Sequence, residues 1–179
     1  MTMGSIRSRA IRSAVAGFAA GSAIVALQNA GAQGVAHDTN SPVNYAADRI
    51  ELQDRQNRVI LAGNVDITQG GMRMRAARTT VAYTNEGSLK IQRIDATGGV
   101  FVTRNNESAK GDVAIYDFNR RVITMVGNVG LKRGSDTLNG GRLVMDLNSG
   151  ITSVDGRGGG ASGAGGGRVS GSFSVPKRD

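Results

Sequence analysis

Residue types that do acid–base, nucleophilic or metal chemistry are scarce in this 179-residue chain, and the scarcity narrows the function before any fold is considered. There is one histidine, His37, and no cysteine. With its one imidazole in a linker and no thiol, the chain offers no triad, no dyad and no nitrogen or sulfur cluster for a transition metal. A disulfide framework is excluded on the same ground. His37 stands among Gly34, Asp38 and Asn40 and reads as a solvated linker residue. The carboxylates do not pair convincingly either. Asp54 and Asp117 open equivalent turns, Asp54-Arg55-Gln56-Asn57 and Asp117-Phe118-Asn119-Arg120, where aspartate is favoured because its side chain bonds the local backbone. Asp66, Asp95 and Asp146 alternate with apolar neighbours and are expected to face water. Gly70-Gly71 and Gly98-Gly99 are not followed by a helical pattern, so they do not form phosphate loops. The residues point away from an enzyme and call for no cofactor.

What remains is the chemistry of apolar burial. The stretch Val59-Ile60-Leu61-Ala62-Gly63-Asn64-Val65-Asp66-Ile67 alternates apolar and polar positions around a glycine. The pattern returns at Ile94 to Val102 and at Ile123 to Leu131. Period two specifies strands with one buried face. A partner motif, small-x-x-x-apolar-x-apolar, starts at Ala46, Ala77, Ala109 and Gly141, at spacings of 31, 32 and 32 residues. Such a spacing signals stacked units, none of which can bury its apolar face alone. Gly63, Gly98 and Gly127 fall on the apolar face, which implies bulges that bend the sheet, an interior widened for long acyl chains, or both. Met72, Met74, Met125 and Met145 share the inward parity, where an unbranched side chain adapts to irregular apolar shapes.

The net charge of +8 and the pI near 10.8 invite a nucleic-acid reading, which the distribution of charge removes. Residues 33–156 carry 15 basic against 13 acidic side chains, leaving +2, so the basicity belongs to the two ends. Aromatics make up only 4%, too few for a base-stacking face.

Along the chain, residues 1–32 read as a cleavable signal peptide. Arg7, Arg9 and Arg12 precede an uncharged apolar run, Ala14 to Leu27, and Ala30-Gly31-Ala32 offers a small-x-small cleavage site, with Gly34-Val35-Ala36 as second choice. The run of about 14 residues falls short of the roughly 20 that span a bilayer. Residues 33–42 are a linker, 43–156 a domain of about four two-strand units with the last truncated near Gly156, and 157–179 a disordered Gly-rich tail. The fold class is all-β, without a helix longer than a turn or two after residue 42.

Residues 46–52, 58–65, 121–129 and 141–147 together resemble the OstA-like group of periplasmic lipopolysaccharide-transport bridge proteins, the LptA family. The resemblance covers roughly residues 43–156. It implies a twisted, open β-jelly roll in the periplasm whose apolar groove holds acyl chains of lipopolysaccharide or an equivalent envelope glycolipid. It also implies head-to-tail joining, to further copies and to inner- and outer-membrane transport proteins of the same fold. The inward residues it would place against lipid are Leu52, Leu61, Val65, Ile67, Val81, Tyr83, Val100, Val102, Ile115, Met125, Val129 and Leu131. The expected assembly edges hold Val43 and Ile50 at one end and Leu143, Met145 and Leu147 at the other. Two alternatives stay open: a secreted structural or adhesive β-repeat protein with a dry core, and a membrane-anchored sister of the same transport family.

Overall fold

The structure, a computed structural model, describes residues 38–156 and 167–175; the expected signal peptide, His37 and residues 157–166 lie outside the described residues. The described residues form ten strands: β1 (Asn44–Ala46), β2 (Arg49–Gln53), β3 (Arg58–Gln69), β4 (Met72–Asn85), β5 (Leu89–Arg104), β6 (Glu107–Asp117), β7 (Val122–Arg133), β8 (Asp136–Asp146), β9 (Thr152–Asp155) and β10 (Ser170–Ser172). A 3-10 turn, Asp54–Gln56, ends on Asn57 in the left-handed conformation. The strands make one antiparallel sheet in the order β1-β3-β4-β5-β6-β7-β8-β10, with β2 also on β3 and β9 also on β8.

The long strands do not run straight. Register shifts at Ala62/Val65, Arg75/Arg78, Thr97/Val100, Lys110/Val113 and Val126/Val129 together draw a seam across the sheet, and a further shift at Ala82/Tyr83 lies near the end of the β4–β5 pair. On one side lies leaf one, bounded by β2 and β9; on the other lies leaf two, bounded by β1 and β10. Glycine makes the seam. Gly63 and Gly127 sit at φ +78° beside the Asp48 and Asp112 carboxylates, where an added Cβ would collide. The asparagines that follow, Asn64 and Asn128, also take positive φ and donate from Nδ2 to Asp48 Oδ2 at 2.9 Å and to Asp112 Oδ2 at 2.8 Å.

Bending the sheet turns its apolar face onto itself. Leu61, Val65, Met74, Ile94, Val102, Ile123, Met125, Leu143 and Met145 are buried, and each buried side chain of this size is worth roughly 1.5–3 kcal/mol relative to exposure. A slip of one residue would turn each such set outward, so burial fixes the register. Across the interior, Tyr116 of leaf one donates its hydroxyl to Gln69 Oε1 of leaf two at 3.0 Å, although β6 and β3 are not neighbours in the sheet. The buried Glu107 carboxylate is matched by Arg104 at 3.1 Å and Arg133 at 2.7 Å. Arg73, Arg75 and Arg78 face water as the alternation requires.

Two expectations are corrected. The stretch 157–179 is not wholly a disordered tail, because Ser170–Ser172 return to the sheet as β10 on β8. Nor is β8 an edge at Leu143 and Met145: both pair with β7 on one side and β9 on the other, and with Leu147 they are buried.

Candidate functional site

The space between the leaves is an apolar slot, and the seam decides which side chains line it. Leu61, Val65, Ile67, Val81, Val100, Val102, Met125, Val129 and Leu131 all face inward and are buried. Tyr83 follows Thr79 and Val81 on the same face and is half-buried at one end. Ile115 does not belong to this set. It pairs with Asp95 and Thr124 on the outer face, whereas its neighbours Ala114 and Tyr116 pair with Ala96 and Ile94 within. The shift between Lys110 and Val113 switches the parity of β6, and an unbroken count of two from Ala109 carries the reading to the wrong face. Tyr116, Ile94 and Ile123 are inward residues absent from the expected set; the two isoleucines were legible in the alternation, the tyrosine was not.

The slot opens at both ends. Beside β1 and β2, a cavity of about 80 Å³ lies between Val43, Tyr45 and Ile67 of leaf two and Val59, Leu61, Val81 and Tyr83 of leaf one, with Leu89 and Ile91 at its rim. Beside β9 and β10, a cavity of about 100 Å³ lies among Leu131, Leu138, Thr152 and Phe173, with Arg133 and Asp136 at its polar border. Both are far below the roughly 300–1,000 Å³ of a ligand pocket, so the interior is filled by its own side chains. Leu52 pairs with Val59 and Ile50 with Leu61, which puts both on the inward face, yet they are 68% and 43% exposed because leaf two does not reach over them. They extend the apolar wall beyond the slot's mouth.

The large exposed apolar residues collect at these same ends. Tyr45, Ile50, Leu52 and Leu89 ring one mouth; Ile151, Val169, Phe173 and Val175 lie beside the other. Exposed apolar surface gathered at particular places marks contact with lipid or protein. Polar chemistry within the slot is slight. Burial pushes the Tyr116 phenol up to about 12, with the Arg121 charge opposing, and the buried Thr79 hydroxyl has no hydrogen-bond partner. Outside, hydrogen bonds from Arg73 hold the Asp66 carboxyl below its ordinary range. Among the described residues no cluster of three or more His, Asp or Glu could hold a metal, and no helix is long and apolar enough to cross a membrane.

Residues 45–151 match the model of the LptA/(LptD N-terminal domain) LPS transport protein family. The chain belongs to this family. Among relatives of the LptA family chain, an uncharacterised protein of Rhizobium meliloti is 26% identical over 151 residues, covering 80% of this chain and 81% of the relative. The lipopolysaccharide export system protein LptA of Haemophilus influenzae is 25% identical over 143 residues, covering 76% and 83%. In fold, the chain is similar to LptH, the LptA homologous periplasmic component of the lipopolysaccharide transport device of Pseudomonas aeruginosa. The TM-score is 0.68 at 17% identity, over 77% of this chain and 99% of that one. The twisted, open β-jelly roll is the architecture of this LptA-like family, and lipopolysaccharide transport is its business.

Proposed function

We propose that this LptA-like protein works in the periplasm, holding the acyl chains of lipopolysaccharide or an equivalent envelope glycolipid between its two leaves while sugars and phosphates stay in water. One observation carries the reading: the exposed large apolar residues stand at the two mouths of an apolar slot, where a chain would enter and leave. Transfer of acyl methylenes from water into such a slot is favourable by about 0.8 kcal/mol each. Because the slot is filled, an incoming chain must part the leaves at their open side, away from the glycine seam. The two mouths also suit head-to-tail joining, since β1 and β2 at one end and β9 and β10 at the other leave unpaired backbone groups for another strand. Further copies and the same-fold domains of membrane-bound transport partners are the proposed neighbours. The reaction is carriage, not catalysis.

Photo-crosslinking side chains at Tyr83 and Val102 should capture the glycolipid in cells, and ones at Ile115 and Thr103, which face outward, should not. Equal labelling at all four positions would sink the groove. The small volume of the two end cavities favours one competing reading, a β-repeat protein with a dry core; lack of capture at Tyr83 and Val102 would select it.

A further inference from the structure

The outer face of the sheet carries a concavity that the lipid slot does not explain. Where β3, β4 and β5 cross the seam, a cleft of about 620 Å³ opens among Asn64, Asp66, Arg75, Ala77, Gly99 and Phe101. That volume lies within the range of small-molecule sites, unlike the two cavities at the slot's mouths. Asp66, Arg75 and Phe101 pair in one row across the three strands, and each stands between buried neighbours, so the row faces away from the slot. The cleft exists because the middle seam lacks two side chains that the flanking seams have. At the first and third glycine bulges an aspartate stands against the glycine and an asparagine follows it. These are Asp48 with Gly63-Asn64 and Asp112 with Gly127-Asn128, each carboxylate accepting from the asparagine Nδ2. Arg49↔Ala62, Arg78↔Thr97 and Val113↔Val126 set the three bulges in the same register, so Ala77 holds the aspartate's place and Gly99 the asparagine's. Nothing lies within 4 Å of a Cβ added at Gly99.

A cation without a counter-ion borders the gap. Among the described residues Arg75 forms no ion pair, because the neighbouring Asp66 carboxylate is taken by Arg73, whose Nε donates to Oδ1 at 2.9 Å. The Arg75 guanidinium lies instead over the Phe101 ring, 5.2 Å from its centroid. Stacking fixes the guanidinium plane and leaves its N–H edge to meet a carboxylate side-on. We propose that the cleft binds an acidic sugar, whose carboxylate takes the place of the absent aspartate, beside Arg75 and over Ala77 and Gly99. A carboxylate alone would leave most of the volume empty, whereas a sugar ring fills it and brings hydroxyl donors. The β3 wall suits those donors. Asn64 spends its Nδ2 on Asp48 and offers its amide oxygen, and Asp66 offers carboxylate oxygens whose charge Arg73 balances. The site uses neither the slot nor the head-to-tail joint, so it stands or falls apart from both.

The test is an NMR titration of the isotope-labelled full chain with glucuronate, followed at the backbone amides of Gly98 and Gly99. Gly63 and Gly127, whose carboxylate places are filled, serve as internal references. Saturable shifts are expected at the first pair and not at the second. Glucose, which lacks the carboxylate, and acetate, which lacks the ring, should each bind more weakly than glucuronate. Arg75→Gln should weaken glucuronate binding by about tenfold or more, the scale of a lost charged hydrogen bond, and leave the rest of the spectrum in place because Arg75 is exposed. Ala77→Asp/Gly99→Asn, which rebuilds the aspartate and asparagine of the flanking bulges, should abolish binding. Lipopolysaccharide in excess should leave glucuronate bound. The proposal is overturned by the absence of saturable shifts at Gly98 and Gly99, by glucose or acetate binding as well as glucuronate, or by binding that survives both variants. Displacement by lipopolysaccharide would also overturn it, by making that glycolipid's own sugars the occupant rather than a separate saccharide.

Discussion

Tyr116 ties the two leaves through one hydrogen bond, and its ionisation ought to loosen that tie. Its phenol titrates near 12 in the folded chain because burial disfavours the phenolate, against an ordinary value of 10. Between pH 10 and about 12 the unfolded chain therefore holds fewer protons than the folded one, so stability falls as pH rises through that window and is fully present below it. Tyr116→Phe should reduce this alkaline slope in urea titrations at stepped pH. Part will remain, because burial and the Asp54 carboxylate also hold the Tyr83 phenol up. At neutral pH the substitution should cost about 1–3 kcal/mol, because it takes the Tyr116 donor from the buried Gln69 Oε1, while Gln69 Nε2 keeps its bonds to the Thr39 and Ser41 carbonyls. Thr79 offers the opposite case. Thr79→Val removes a buried hydroxyl without a partner, keeps the shape, and should stabilise the fold by about 1 kcal/mol in the same assay. Sequence hid Tyr116 and not Leu61 for one reason: parity on β3 survives its bulge, with Leu61 and Val65 both inward, whereas parity on β6 switches across Gly111 and Asp112.

At the scale of strands, the period-two alternation was sufficient to place the inward face of β3, β5 and β7, whose parity survives the seam, but not that of the leaf-one half of β6, where Ile115 faces out. The row of bulges was half legible: the glycines at Gly63, Gly98 and Gly127 marked it, but their pairing with Asp48, Ala77 and Asp112 depends on which strands become neighbours. The middle copy differs from the others. Gly98-Gly99 stands where Gly63-Asn64 and Gly127-Asn128 stand, and against Gly98 lies Ala77 rather than an aspartate. Gly99 holds φ +80° with open space around its would-be side chain, so substitution there meets backbone strain alone. Asparagine tolerates that region, as Asn64 and Asn128 show, and a β-branched residue does not. Gly99→Asn should stay close to the parent in thermal unfolding, whereas Gly99→Val should lose roughly 1–3 kcal/mol. Equal losses would mean that the middle seam is not strained in this way.

For the whole molecule, the ends matter more than the middle. The chain's order could be read as far as Gly156; what followed looked like a tail because thirteen residues, 157–169, separate Gly156 from the strand that completes leaf two. In leaf one the terminal strand is β9, and the hydrogen-bond pattern shows which of its groups are free. Asp146 N–H donates to Ile151 O at 2.9 Å, so by the alternation of an antiparallel ladder Val144 and Ser153 form the next bonded pair. Thr152 and Val154 then direct their N–H groups outward, toward an incoming strand. Proline lacks that donor and is tolerated on an edge only where the N–H faces away from the sheet. Thr152→Pro should accordingly leave the unfolding midpoint close to the parent while weakening head-to-tail association by about tenfold, the scale of one or two lost ladder bonds. Ser153→Pro should do the reverse at the level of the fold, since it removes the bond to Val144 and frees β9 from β8. Sedimentation and thermal unfolding on both variants separate the two effects, and association unchanged by Thr152→Pro would show that copies do not add strands at this edge.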